Sequence, residues 1–124
     1  MELADKLGNK VEREWSFYVE EEELVVQTPK VYPNPFNPTE GPAKIEFTIT
    51  QAAVVTVKIY DFSMRLVKTI LDSEEMKPGL VSERWDGKSE DGDELAKGVY
   101  FCQIIVKSAT DEPKATVLKI ALYR

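Results

Sequence analysis

The residues that could do chemistry are few in this sequence, and the first of them is a single cysteine. Cys102 is the one thiol in 124 residues, and there is no histidine. A cysteine nucleophile needs a neighbour that lowers its pKa, and histidine is the usual one. Cys102 lies inside the apolar run 99–106, so we expect an inert, packed thiol. One cysteine also excludes an intrachain disulfide and a cysteine-based zinc site.

Carboxylates are the second candidate, and they are densest in residues 86–94. An EF-hand loop that began at Asp86 would need oxygen ligands at its third and fifth positions and glycine at its sixth. Those positions hold Lys88, Glu90 and Asp91, so the match fails. A looser calcium site that uses Asp91 and Asp93 remains a minor alternative to a solvated hairpin with its tip at residues 91–92. We therefore expect no cofactor, and an enzyme is the least expected class.

The charge and hydropathy of the sequence argue against nucleic acids and the membrane interior as partners. Lys and Arg total 16 against 22 Asp and Glu, a formal charge of −6, and an acidic surface repels nucleic-acid phosphates. No run approaches the roughly 18 apolar residues of a membrane span, so membrane insertion is not expected. The first residues show no signal peptide, which is also what a fragment of a longer secreted chain would show.

The elements that must position these residues read as strands. Apolar and polar residues alternate along residues 11–19, 44–50 and 54–60, and further short apolar runs cover 24–26, 65–71, 80–85, 99–106 and 116–122. Turn residues separate them about every ten positions, which predicts an all-β antiparallel sandwich of about seven to eight strands. Residues 66–76 are the nearest approach to a helix, but their β-branched residues weaken that reading. Residues 99–106 are apolar on both faces, which favours a central strand covered on both sides.

Proline and asparagine dominate the first of four motifs, residues 31–38 (VYPNPFNP). Its prolines fix φ and remove backbone donors, so the segment cannot be a central strand. We expect a stiff lead-in whose Phe36 closes one end of the sandwich, with a proline-rich recognition surface as the alternative. The residues that carry this motif are Pro33, Asn34, Pro35, Phe36, Asn37 and Pro38.

Three further motifs follow in order: residues 57–61 (VKIYD), 84–92 (RWDGKSEDG) and 97–101 (KGVYF). Trp85 is expected in the core, with Asp86 and Gly87 in a turn, and a sugar-stacking role for Trp85 is the minor alternative. Gly98 suits a bend before a buried strand. Tyr100 is expected to bury its ring and to need a partner for its hydroxyl.

The ordered set of motifs resembles the Ig-like domain of the flagellar hook-capping protein and the C-terminal sorting domains of type IX-secreted proteins. The resemblance covers about residues 30–124. It implies an Ig-like, fibronectin III-like sandwich that acts without catalysis in export or surface anchoring of a larger extracellular or cell-surface protein. It also implies recognition near the last strand, where Lys119 and Arg124 are the candidate contact charges. Relatives usually carry glycine where this chain has Met64, which leaves the type of that turn open.

Two other functions remain open from the sequence. The module could be a purely structural spacer in an extracellular assembly. It could also be a carbohydrate-binding module that uses Trp15, Trp85 or tyrosines.

The domain boundaries expected from the sequence are residues 1–20, 21–30 and 31–124. Residues 1–20 resemble the last hairpin of a bacterial Ig-like repeat, residues 21–30 read as a linker and first strand, and residues 31–124 form the Ig-like domain. The strand at 11–19 places Trp15, Phe17 and Val19 on one apolar face, which one strand cannot bury alone. We expect it to pair onto the sandwich or to form a homodimer. The expected partners are a secretion translocon or neighbouring domains.

Overall fold

Seven strands, and no helix, make up the part of the chain that this computed structural model describes, residues 24–124. They are β1 (Val26–Tyr32), β2 (Ala43–Ile49), β3 (Ala53–Tyr60), β4 (Leu66–Met76), β5 (Gly79–Trp85), β6 (Gly98–Lys107) and β7 (Lys114–Leu122). The all-β prediction is confirmed. None of these residues belongs to a helix that could cross a membrane.

The strands form two antiparallel sheets that pack face to face. The smaller sheet has the order β1-β2-β5, and the larger has the order β4-β3-β6-β7. This three-plus-four arrangement is an Ig-like sandwich of the fibronectin III kind, as expected.

Alternation places the core where the sequence predicts it. The inward residues of β2 and β3 are fully or almost fully buried, namely Ala43, Ile45, Phe47, Ile49, Val55, Val57 and Ile59. On β6, Tyr100, Cys102, Ile104 and Val106 face the core. The opposite face of β6 is only half-buried, so the expectation that this strand is covered on both sides is wrong. Its apolar outer residues lie on the outer face of the larger sheet instead.

Strand β4 is longer than the predicted run at 65–71, because it continues to Met76. Its pairing with β3 shifts register near its middle, where Ser73 has a φ of 54°. These are β-bulges, which let a strand bend at the edge of a sheet. The helical alternative for residues 66–76 is wrong.

The chain enters the sandwich at Leu24, which is fully buried. The Leu24 amide donates to Asp111 Oδ2 over 2.8 Å, and the Val25 amide donates to Thr50 Oγ1 over 2.9 Å. Among the described residues, the sandwich includes Leu24 and β1. The predicted hairpin in residues 1–20 lies outside the described residues.

The sandwich has two ends, which we name by their contents. The base end holds the entry at Leu24 and the loops at 50–52, 77–78 and 108–113. The motif end holds the loops at 33–42, 61–65 and 86–97 and the last residues, 123–124. Strands of seven to eleven residues separate the two ends by roughly 25 Å at about 3.3 Å per residue.

Candidate interaction site

Three aromatic rings close the motif end from inside. Phe36, Trp85 and Tyr100 come from three different motifs, and all three are buried. The ring centroids of Phe36 and Trp85 are 5.5 Å apart, and those of Trp85 and Tyr100 are 5.4 Å apart in an edge-to-face arrangement. Such pairs stabilise a core beyond their buried area.

The polar atoms of these rings have backbone partners. Trp85 Nε1 donates to the Lys88 carbonyl over 3.0 Å, and the Tyr100 hydroxyl donates to the Ala96 carbonyl over 2.6 Å. Burial, followed by the charge of Asp61, raises the pKa of Tyr100. Tyr100 lies near the start of β6 and bonds a residue four positions upstream, which resembles the tyrosine corner of Ig-like sandwiches. Trp85 is therefore unavailable as a sugar-stacking platform.

Asn34 and Phe36 bind the free edge of the last strand. Asn34 Nδ2 donates to the Lys119 carbonyl over 2.7 Å, and the Ala121 amide donates to Asn34 Oδ1 over 2.9 Å. The Phe36 amide then donates to the Ala121 carbonyl over 2.9 Å, and the Tyr123 amide donates to the Phe36 carbonyl over 3.0 Å. An asparagine side chain has the donor and acceptor of a peptide group. The segment thus acts as a short added strand along the last residues of β7.

The prolines fit this arrangement because each lacks a donor that would need a partner. The peptide bonds Tyr32–Pro33 and Asn34–Pro35 are both cis. Asn37 ends the segment as a turn residue, with its Oδ1 accepting from the Thr39 amide and hydroxyl over 3.0 and 2.7 Å.

Gly87 joins the first and third motifs by close contact. Its φ is +80°, and a Cβ built there would lie 2.9 Å from Pro38 Cγ and 3.2 Å from Leu122 Cδ1. Only glycine fits that conformation and that space. The turn around it is fixed because Asp86 Oδ1 accepts from the Lys88 amide over 3.0 Å, and the Gly87 carbonyl accepts from the Leu95 amide over 3.1 Å.

The acidic loop is a tight turn held by its own hydrogen bonds. The Ser89 amide donates to the Asp93 carbonyl over 2.8 Å, and the Gly92 amide donates to the Ser89 carbonyl over 2.9 Å. Glu90 ties the loop to β4, because its amide donates to the Val67 carbonyl and its Oε1 accepts from the Thr69 amide. Asp91 and Asp93 are exposed. Residues 24–124 contain no group of three His, Cys, Asp or Glu side chains placed to hold a metal ion.

The two candidate contact charges stand in different surroundings. Lys119 is exposed on the outer face of β7, opposite Phe101 in the ladder. The Arg124 guanidinium donates to the Leu95 carbonyl, so it ties the chain end to the loop before β6. Of the two, Lys119 is the one whose charge the described contacts leave outside a structural role.

The turn at residues 61–65 is built around one aspartate. Asp61 Oδ1 accepts from the Ser63 and Arg65 amides over 2.8 and 3.0 Å, and Oδ2 lies 3.3 Å from Arg65 Nε. These partners, first the Arg65 amide, hold the pKa of Asp61 below its usual value. Met64 adopts a φ of 66°, so it takes the left-handed conformation that glycine favours.

Sequence reasoning missed an exposed apolar patch beside this turn. Phe62 is 76% exposed and lies over Phe101, with ring centroids 6.5 Å apart and an angle of 27° between the planes. Leu66 and Met64 are also exposed. The apolar second face of residues 99–106 was the signal, because a face without cover inside the sandwich must meet solvent or a partner.

The one thiol of the chain, Cys102, is not an activated nucleophile. Cys102 is buried among core residues, and burial raises its pKa to about 12. Its thiol is therefore protonated at neutral pH, and thiols react as thiolates.

The fold and its motif end define an Ig-like β-sandwich module. The sequence profile of the FlgD Ig-like domain matches residues 34–112, and the chain belongs to that family. No curated protein sequence matches the chain.

The solved structures similar to the chain include two bacterial proteins. The structure of dimeric latent PorU from Porphyromonas gingivalis has a TM-score of 0.64 and 23% identity, over 86% of this chain and 10% of that one. PorZ, described as an essential bacterial surface component of the type-IX secretion system of the same organism, has a TM-score of 0.49 and 30% identity, over 77% of this chain and 11% of that one. The chain thus spans about a tenth of either protein. The likeness to PorU shows the fold alone.

Proposed function

We propose that this chain is a non-catalytic module of an exported or cell-surface protein, and that its motif end is recognised during export or surface anchoring. The observation that carries the proposal is that the chain entry and the four motifs lie at opposite ends of the sandwich. The chain enters at the base end through Leu24, whereas the last strand and the four motifs meet at the motif end. A domain joined upstream of Leu24 would therefore attach at the base end, away from the motif end.

The exposed residues, rather than the motif residues, form the proposed contact surface. The motif residues already have partners within the domain, because the polar groups of Asn34, Phe36 and Trp85 form hydrogen bonds to other parts of the chain. Phe62 and Lys119 are exposed beside them, which supplies an apolar anchor and a charge of the kind that binding sites use. The family membership and the likeness to PorU in fold support the same assignment.

A reporter fused in front of residues 1–124, expressed in a bacterium with a type IX system, tests the proposal. We expect the fusion to reach the cell surface and the double variant Phe62→Ser/Lys119→Glu to remain periplasmic. The matched control is Leu80→Ser/Lys114→Glu, since Leu80 is 66% exposed on the outer face of the smaller sheet and Lys114 begins the same strand as Lys119. Periplasmic retention of the unmodified fusion would refute the export role.

A structural spacer is the second candidate, and the internal use of the motif residues favours it. On that account both double variants reach the surface like the parent, and deletion of the module lowers the stability or assembly of the parent protein without changing its export. The carbohydrate-binding alternative loses Trp85 as a platform, because its ring is buried. Trp15 lies outside the described residues.

A further inference from the structure

An apolar recess opens at the base end of the sandwich, opposite the motif end. Its volume is about 560 Å³, which is within the range of clefts that hold a ligand or large side chains. The lining comprises Ala52, Ala53, Val54, Met76 and Ala109, with Lys107 at the rim. Glu75 and Lys77 also border it.

The recess lies beside the place where the chain enters the sandwich. Leu24 bonds Asp111, which is two residues from Ala109, and Val25 bonds Thr50, which is two residues from Ala52. Two residues span at most about 7 Å. Leu24, the first described residue, therefore lies next to both walls of the recess.

The segment upstream has the side chains that such a recess accepts. Trp15, Phe17 and Val19 share one face of the alternating run at 11–19. Phe17 is seven residues before Leu24, which allows a reach of up to about 24 Å, and Trp15 is nine residues before it. The acidic residues 20–23 would pass Lys77 and Lys107, which border the recess together with the carboxylate of Glu75, and the carboxylate of Asp111 lies at Leu24.

We propose that the apolar face of residues 11–19 docks in this recess of its own chain, with Trp15 and Phe17 inserted. Docking covers the apolar lining of the recess and the apolar face of residues 11–19 at the same time. The base end then becomes the contact surface between the sandwich and its own upstream segment. The proposal concerns the base end alone, so it stands or falls independently of recognition at the motif end.

Tryptophan fluorescence of the full chain tests the docking. The protein has two tryptophans, and the spectrum of the wild type minus that of Trp15→Phe isolates Trp15. We expect this difference spectrum to be blue-shifted and weakly quenched by acrylamide. The variant Ala109→Arg fills the recess from an exposed position, so it should shift the emission to the red and increase quenching about two-fold or more. The matched control is Ala96→Arg, an exposed alanine at the motif end, and it should change neither.

Three outcomes would overturn the proposal. One is a Trp15 that is as red-shifted and as easily quenched in the wild type as an indole in water. Another is protection of Trp15 that Ala109→Arg leaves unchanged. The third is protection that disappears on dilution together with a dimer mass in light scattering, since the occupant would then be a second copy.

Discussion

The clamp of Asn34 on the last strand makes a quantitative prediction for Asn34→Ala. The substitution removes two hydrogen bonds, one to the Lys119 carbonyl and one from the Ala121 amide, at 2.7 and 2.9 Å. A typical protein hydrogen bond contributes about 1 kcal/mol net. Water can replace part of each bond because Asn34 is exposed. We therefore expect the free energy of unfolding to fall by about 1–2 kcal/mol, and Tm by roughly 5–10 °C in a domain of this size.

Hydrogen exchange at a single amide locates the effect. The Ala121 amide donates to the Asn34 side chain, whereas the Tyr123 amide donates to the Phe36 backbone. Asn34→Ala should accelerate exchange at Ala121 much more than at Tyr123. Asn34→Asp keeps an acceptor for the Ala121 amide but has no donor for the Lys119 carbonyl, so it should preserve protection at Ala121 while still lowering stability.

The control is Asn37→Ala, in the same motif. The Asn37 side chain accepts only from Thr39 in the described contacts, so its loss should leave exchange at Ala121 unchanged. The reasoning is refuted if Asn34→Ala alters the free energy of unfolding by less than about 0.3 kcal/mol and leaves Ala121 exchange as it was.

Three further predictions concern residues in unusual environments. Met64→Gly should raise the free energy of unfolding by about 0.5–1 kcal/mol in urea denaturation, because relief of the left-handed conformation outweighs the added entropy of the unfolded chain; Met64→Ala keeps the strain and should change little. Gly87→Ala should lower the free energy of unfolding by about 2–4 kcal/mol, because it combines that conformational cost with overpacking against Pro38. Its control is Gly92→Ala, at φ +89° with open space around its Cβ, which should cost only about 1 kcal/mol. Equal losses in the two variants would contradict the close contact between Gly87 and Pro38. The Cys102 thiol should stay protonated in the folded state up to a pH of about 12, whereas it ionises near pH 9 in the unfolded chain. Its contribution to stability is therefore complete below pH 9. It is lost between pH 9 and 12, at up to about 1.4 kcal/mol per pH unit. The destabilisation caused by Cys102→Ala should therefore be smaller at pH 10.5 than at pH 8, and a pH-independent difference would contradict the buried, neutral thiol.

The strands with clear alternation were predictable because burial acts on every second residue. Ile45, Phe47 and Ile49 mark β2 in the sequence and are buried in the structure. Strand β4 was only partly predictable, since its second half is polar and exposed and carries no alternation. Backbone pairing with β3 alone extends it to Met76, and no local sequence pattern encodes that pairing.

The candidate site was less predictable than the fold because its contacts are distant in the sequence. The bonds of Asn34 join residues 85 and 87 positions apart, and a motif-by-motif reading assigns Asn34 only to a stiff lead-in. The same holds for the contact of Gly87 with Pro38. Reading Gly87 as a turn residue explains its φ but not the space that it leaves for the proline ring.

These distant contacts change what the ordered motifs mean for recognition. Phe36 packs on Trp85, Pro38 on Gly87, and Asn34 on the last strand, so each motif supplies a part of one interlocked end. The loss of one motif would leave a cavity or an unpaired strand edge beside another motif. The motifs therefore depend on one another through the stability of the domain alone. The motifs therefore mark the construction of the end. On the proposed function, we expect discrimination between partners to come from exposed side chains held there, with Phe62 and Lys119 as the candidates.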